Sequence, residues 1–461
     1  MMQDLIDALQ QCEITDSGEV SLSRSVALTM QDIFEDVCVS NGSIWTYEKG
    51  LWTRLDHQEM LSILHALNGK AFAKGDSLKS VSLSSGKVKG IYESLLLCRE
   101  LRREGYFNDF VPGVAFLDGF LRLKDGKVIK EPHSSEHRCT MRVEENIPDA
   151  FAEPTLFVEF LEELFKPDED KAAKIQFIQE WVGAALCGTS TKYARAALMV
   201  GKGGNGKSLL ASAISNLFPD HMVGSSSPAR WDKEYNIAAL QDVRLNVVSE
   251  LPEHDTAASA DLYKAVLSGD LVSARMPYGR PYSYKPRTAH LYSANSLPSS
   301  ASGDHSYGFY RRWGLLSLNR CFINSPSRRD PREILETLKK ERGVIIAWAL
   351  QGAAALEARG DYIIPGSTQE LEKEWRADTD SVQDFIQSCC KVVESEDDYE
   401  FLKCVYDFFK EWANLVGRRP MSNRALKKRL DSNNIPTIRR GGQVKCALNI
   451  RDRSDWSDVL H

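Results

Sequence analysis

The densest chemistry in this chain lies in eight residues, Gly201-Lys202-Gly203-Gly204-Asn205-Gly206-Lys207-Ser208. They fit the pattern G-x-x-x-x-G-K-[ST], in which glycines let backbone N–H groups curl around a phosphate. A flexible loop matches such a pattern by chance, so the flanking residues decide its meaning. Ala196–Val200 is a short apolar run that reads as a buried strand, and residues 209–218 carry apolar side chains at helical spacing. A helix N-terminus adds partial positive charge where its first amides lack partners. In that setting Lys207 would reach the β- and γ-phosphates and Ser208 would hold Mg²⁺, with Gly201, Gly203, Gly204, Asn205 and Gly206 forming the cradle. ATP and Mg²⁺ are the expected cofactors.

Hydrolysis of a triphosphate needs an acid at the end of a neighbouring strand, to hold the metal or orient water. Residues 245–249 form a β-prone apolar segment that runs into Glu250. Many strands end in a carboxylate, and it is the position downstream of the glycine loop that singles out Glu250. Leu291-Tyr292-Ser293-Ala294-Asn295 ends another strand on an amide, which would sense the γ-phosphate or place the attacking water. A lone asparagine there more often caps a turn. Tyr310-Arg311-Arg312-Trp313 precedes a further strand, and an arginine at a subunit boundary can complete a neighbour's site. Paired arginines also serve in ordinary salt bridges.

Between these segments a helix should stop at Ser268-Gly269 and a hairpin should run out to Gly279-Arg280 and back. Arg275, Arg280 and Lys285 alternate there with Tyr278, Tyr282 and Tyr284. Cations among aromatics suit single-stranded nucleic acid, with charge for phosphate and rings for bases. The competing reading packs the tyrosines on the domain core.

The elements that must position these groups follow from the rest of the pattern. At 461 residues the chain is long enough for about three domains. Residues 1–165 read as α+β, with hairpins over 43–55 and 114–123 and helices over 58–67 and 90–103. Residues 166–375 alternate strand and helix, with strands at Ala196–Val200, 245–249, Ala289–Ala294 and 314–318 and a helical lid over 334–358. Residues 376–461 form the third unit. From residue 401 onward there are 13 Lys/Arg against 6 Asp/Glu. Helix 401–415, a basic helix capped by Ser422 and a hairpin through Gly441-Gly442 describe a winged-helix module. Lys427, Lys428, Arg439 and Arg440 are its expected DNA contacts, unless they are simply a solvated basic face.

Net charge is −6, so any nucleic-acid contact must be local rather than global. The ten cysteines include no C-x-x-C pair, which argues against a zinc ribbon and for reduced thiols. His133, His137 and Cys139 lie close in sequence but lack a fourth partner at a familiar spacing. Residues 1–4 show no secretory signal and no apolar run is long enough for a bilayer, so a cytoplasmic protein without membrane contact is expected.

In order and spacing, five elements resemble the superfamily-three helicases of small viruses, phages and plasmids. They are G-x-G-x-N-G-K-S, the strand ending in Ser249-Glu250, K-x-x-x-S-G-D-x-x-x-A-R from Lys264, the Ser293-Ala294-Asn295 strand end and Arg311-Arg312-Trp313. More narrowly, the chain is similar to the helicase portion of poxvirus-related phage and plasmid primase–helicases, over about residues 30–450. The resemblance implies an α/β fold: a P-loop, AAA+-type three-layer ATPase core with an N-terminal α+β collar and a C-terminal winged helix. It implies a homo-hexameric ring with ATP between subunits. Lys207, Ser208, Glu250 and Asn295 would act from one subunit, and Arg311 or Arg312, with Lys264, from its neighbour. The hairpin would grip single-stranded or forked DNA in the channel, with 3′-to-5′ movement. Relatives often end the acid strand with two acidic residues, whereas Ser249 stands here, which leaves the metal holder and the base undivided. No primase domain is expected, so a separate primase or polymerase would supply primers. Two other functions compete. An initiator would bind duplex origin DNA and melt it without processive unwinding; a small-molecule kinase would leave the basic hairpin and tandem arginines unexplained.

Overall fold

The computed structural model describes residues 2–148, 154–251, 260–275, 281–297, 307–323, 329–379, 381–416 and 420–450. The central elements, in chain order, begin with α1 (Thr155–Leu164), α2 (Lys171–Cys187), β1 (Ala196–Val200), α3 (Lys207–Ser215), β2 (Val223–Gly224) and β3 (Leu245–Val248). They continue with α4 (Ala260–Ser268), β4 (Val272–Ala274), β5 (Tyr282–Tyr284), β6 (Ala289–Ala294), β7 (Trp313–Ser317), α5 (Pro331–Lys339) and α6 (Arg342–Arg359).

Five strands form a parallel sheet in the order β2-β3-β6-β1-β7. Every residue of β1, β6 and β7 is buried, as required of parallel strands covered on both faces. Side chains alternate between two apolar clusters. Ala197 and Met199 join Phe177, Leu210 and Ile346 on one face; Ala196, Leu198 and Val200 join Trp231, Tyr263, Trp313 and Trp375 on the other. The protein is therefore mixed α/β, built around a parallel sheet.

Close helix packing backs the first face. A Cβ on Gly183 of α2 would lie 1.9 Å from the Ala349 carbonyl oxygen of α6, and one on Gly352 would lie 2.6 Å from the Gln179 backbone. Only glycine admits this approach, because the obstacles are backbone atoms that cannot rotate away. Gly183→Ala is expected to cost about 1–3 kcal/mol, as overpacked cores do, read as a lowered midpoint in chemical denaturation.

The apolar cluster on that face reaches back through Phe157 and Ile147 to Val114 and Phe116. The antiparallel strands Gly113–Phe116, Gly119–Lys124 and Lys127–Glu131 thus share a core with the sheet. A separate cluster holds residues 5–101, built from helices against the antiparallel sheet Asp36–Ser40, Ser43–Glu48, Leu51–Arg54. The helix expected over 90–103 instead spans Ser85–Leu96, because the Ser84 side chain accepts from Lys87 N–H and starts it early. The helical run expected over 334–358 is two helices, α5 and α6. Glu341, at the break, accepts from Leu156 and Phe157 N–H and so caps α1.

The C-terminal part packs Ser381–Cys389, Leu402–Leu415 and Asn423–Ser432 around one cluster. Ser422 Oγ caps the last of these by accepting from Ala425 N–H. A hairpin of Thr437–Arg440 and Gln443–Cys446 turns through Gly441-Gly442, and Glu400–Phe401 adds a third strand. Among the described residues, no helix is long and apolar enough to cross a membrane.

Candidate functional site

Parallel register sets the site. Val248 of β3 pairs with Tyr292 of β6, which pairs with Leu198 of β1. Counting two residues on, Glu250, Ala294 and Val200 emerge level with one another, so Glu250, Asn295 and Gly201 leave adjacent strands at one edge. Crevices beyond the carboxyl ends of parallel strands are where open α/β sheets bind ligands.

The glycine loop then turns into α3. Gly204 and Gly206 hold φ values of 77° and 87°, a left-handed backbone that other residues resist. Gly206 offers no side-chain cap, which leaves the first amides of α3 facing the crevice without a side-chain partner. Lys207 Nζ donates to the Gly201 carbonyl, to Lys202 O at 3.2 Å, to Asn205 Oδ1 at 3.2 Å and to Asn295 Oδ1 at 3.4 Å. Asn295 Nδ2 in turn donates to Glu250 Oε1 at 3.1 Å. Burial holds the Lys207 ammonium below the ordinary lysine range, and Glu250 opposes that shift. A cation ringed by neutral acceptors is ready to trade them for an anion.

These residues border a cavity of about 910 Å³. Its polar end is formed by Gly203 to Ser208, Glu250 and Asn295. Ser208 and Glu250 are exposed oxygen donors, the ligand type a hard cation such as Mg²⁺ takes. The other end is a slot between two helices. α1 presents Leu156, Phe160 and Leu164, and α5 presents Pro331, Ile334 and Leu338, each set spaced as one helical face. The sequence pattern placed no helix over residues 155–164, and Glu341, two residues beyond α5, accepts from the first amides of α1. Arg329, beside the Asp330 cap of α5, also lines the cavity and was missed. Its signal was a cation directly before an Asp-Pro helix start.

Gly201 sits behind the loop rather than on the cavity, and Lys264, Arg311 and Arg312 do not line it. Lys264 approaches Asp261 at 4.0 Å. Arg311 is exposed. Arg312 is turned inward: its guanidinium donates to Gly308 O and to Ser268 Oγ at 2.8 Å, and burial lowers its proton affinity.

The hairpin β4–β5 forms with Arg275 and Lys285 exposed, while Tyr278 and Arg280 lie outside the described residues. Tyr282 and Tyr284 are half-buried. Their hydroxyls donate to Gln241 Oε1 at 2.7 Å and to Ile237 O at 2.5 Å, so the rings pack on the domain. In the C-terminal part Lys428, Arg439 and Arg440 are exposed and Lys427 is half-buried. Arg440 reaches Asp397 at 3.3 Å. His137 stacks on Phe120 and bonds Glu131 at 3.2 Å, and Cys139 Sγ bonds Met141 O, so neither is arranged around an ion.

A profile described as a family of unknown function (DUF5906) matches residues 199–312, which span the glycine loop, Glu250, Asn295 and the tandem arginines. No curated protein gives a match. Among solved structures the chain is similar to an apo A-form structure of the NrS-1 C terminal region. The two are 12% identical over 95% of this chain and 100% of that one, with a TM-score of 0.47. A further apo A-form structure of that region, covering 305–718, is 11% identical over 93% and 99%, with a TM-score of 0.48.

Proposed function

We propose that this chain is an ATP-dependent DNA helicase of the superfamily-three type, serving the replication of a phage, plasmid or prophage-like element. The observation that carries the proposal is one cavity with two unlike ends. Lys207, Ser208, Glu250 and Asn295 line one, and the apolar side chains that α1 and α5 present line the other. A nucleoside triphosphate has that same polarity, and the volume falls within the usual range for ligand sites.

Lys207 would exchange its carbonyl partners for β- and γ-phosphate oxygens, and the amides opening α3 would hold the phosphate chain. Mg²⁺ held by Ser208 and Glu250 would neutralise charge on those oxygens. Glu250 would also orient the attacking water, aided by Asn295, whose amide already links Glu250 to Lys207. The base would stack in the slot against Phe160. The P-loop, AAA+-type reading draws support from the strand order, with β6 between β1 and β3. The winged-helix reading draws on the capped basic helix and its hairpin. Arg275 and Lys285 on the β4–β5 hairpin would contact single-stranded DNA through phosphates, since two of its tyrosines are occupied. A homo-hexamer with 3′-to-5′ movement completes the proposal.

The test combines DNA-stimulated ATP hydrolysis, strand displacement on a forked duplex, and particle mass with an ATP analogue. A monomer indifferent to DNA would overturn the helicase reading. A second reading, an origin-binding initiator, is favoured by exposed Lys428 and Arg439 on the C-terminal part. It predicts sequence-specific duplex binding that survives loss of ATP turnover.

A further inference from the structure

Asn205 is 4% exposed, and its amide spans two elements. Nδ2 donates to the Leu318 carbonyl at 2.9 Å, while Oδ1 accepts from Lys207 Nζ at 3.2 Å. The amide orientation is forced, because a carbonyl can only accept and an ammonium can only donate. Leu318 directly follows β7, and its own N–H donates to Val200 O at 2.8 Å. A second tie lies beside the first: Phe322 N–H donates to Gly204 O at 2.8 Å, and the Ile323 side chain fills the space over Gly204.

The segment after β7 is anchored from behind. Asn319 Nδ2 donates to Asp168 Oδ1 at 2.8 Å, and the fully buried Lys174 joins Asp168 Oδ2 to Ser317 Oγ, each at 2.8 Å. Room for the asparagine comes from Gly201. A Cβ there would lie 2.2 Å from Asn205 Nδ2 and 2.5 Å from Leu318 O. The first glycine of the phosphate pattern is thus spent on this tie rather than on the cavity.

We infer that Asn205 is a positioning residue that aims the Lys207 ammonium and locks the glycine loop to the edge strand β7, with Gly201 making the space. The inference rests on the nucleotide-site reading above. A lysine side chain has many rotamers, and a fixed acceptor beside its head removes most of them before ligand arrives. Nζ has three hydrogens, so the Asn205 bond persists while the carbonyl contacts yield to phosphate. Backbone amides still hold the phosphates without Asn205, so its loss falls on turnover rather than on binding.

The wild-type chain is first tested for binding of a fluorescent ATP analogue and for ATP hydrolysis; failure of both sinks the nucleotide-site reading itself. Given both, Asn205→Ala is expected to lower kcat about 10–100-fold, with analogue Kd moved less than about threefold. Gly201→Ala is expected to reproduce that loss by displacing the amide. The double variant should be no slower than the slower single one, because both break one tie. Wild-type kcat in Asn205→Ala, or losses that multiply in the double variant, would overturn the inference. Should the alanine variant not fold, Asn205→Asp has nearly the same shape but faces Leu318 O with an acceptor. Full turnover there would be equally fatal.

Discussion

Lys207→Ala is expected to reduce ATP turnover by at least about 10³-fold while the melting temperature stays close to that of the parent chain. The two halves of this expectation come from different contacts. Every bond made by Nζ goes to a carbonyl or amide oxygen at the crevice: Gly201, Lys202, Asn205 and Asn295. None reaches into the apolar clusters, so the truncation removes charge at the site and little packing. The stated factor corresponds to at least about 4 kcal/mol at the transition state, the upper end of what one preorganised group in a partly buried site supplies. Phosphate release and a thermal melt on the same preparation check both halves. A variant that turns over ATP normally would move the site away from this cavity.

Arg311→Ala is expected to cut ATP turnover by roughly 10³-fold or more with the fold intact, whereas Arg312→Ala should act mainly on stability. The two side chains are adjacent in sequence but differently employed. Arg312 is bonded inward to Gly308 and Ser268, and removing it strands those partners at a cost of about 1–3 kcal/mol. Arg311 is exposed two residues before β7 and does not line its own chain's cavity, as expected of a group serving a neighbouring copy. Mixing Lys207→Ala chains with Arg311→Ala chains should therefore restore part of the activity, since some interfaces would pair an intact loop with an intact arginine. Absence of any recovery would point to a site complete within one chain.

Much of the framework was legible because it is encoded locally. The apolar runs at Ala196–Val200 and Ala289–Ala294 became strands, and the turns at Lys49-Gly50 and Gly441-Gly442 closed hairpins, whereas the turn expected at Asp118-Gly119 falls on Leu117-Asp118, with Gly119 already paired to Phe116. Each needs only neighbouring residues: apolar runs for burial, and glycines for left-handed backbone. Helix limits were less legible, since Ser84 and the break at Glu341 compete with plain periodicity.

What the residue order determined by itself was the glycine loop with its lysine and serine, and the strand ends that carry Glu250 and Asn295. Tertiary structure decided which groups serve that loop. Asn205 finds Leu318 across 113 positions, and Glu341 caps α1 across 185. Tyr282, Tyr284 and Arg312 turn inward onto partners that no local spacing reveals. The reason is physical: backbone preference acts over a few residues, whereas a side chain's direction is set by whichever donors, acceptors and apolar surfaces the packed elements bring against it.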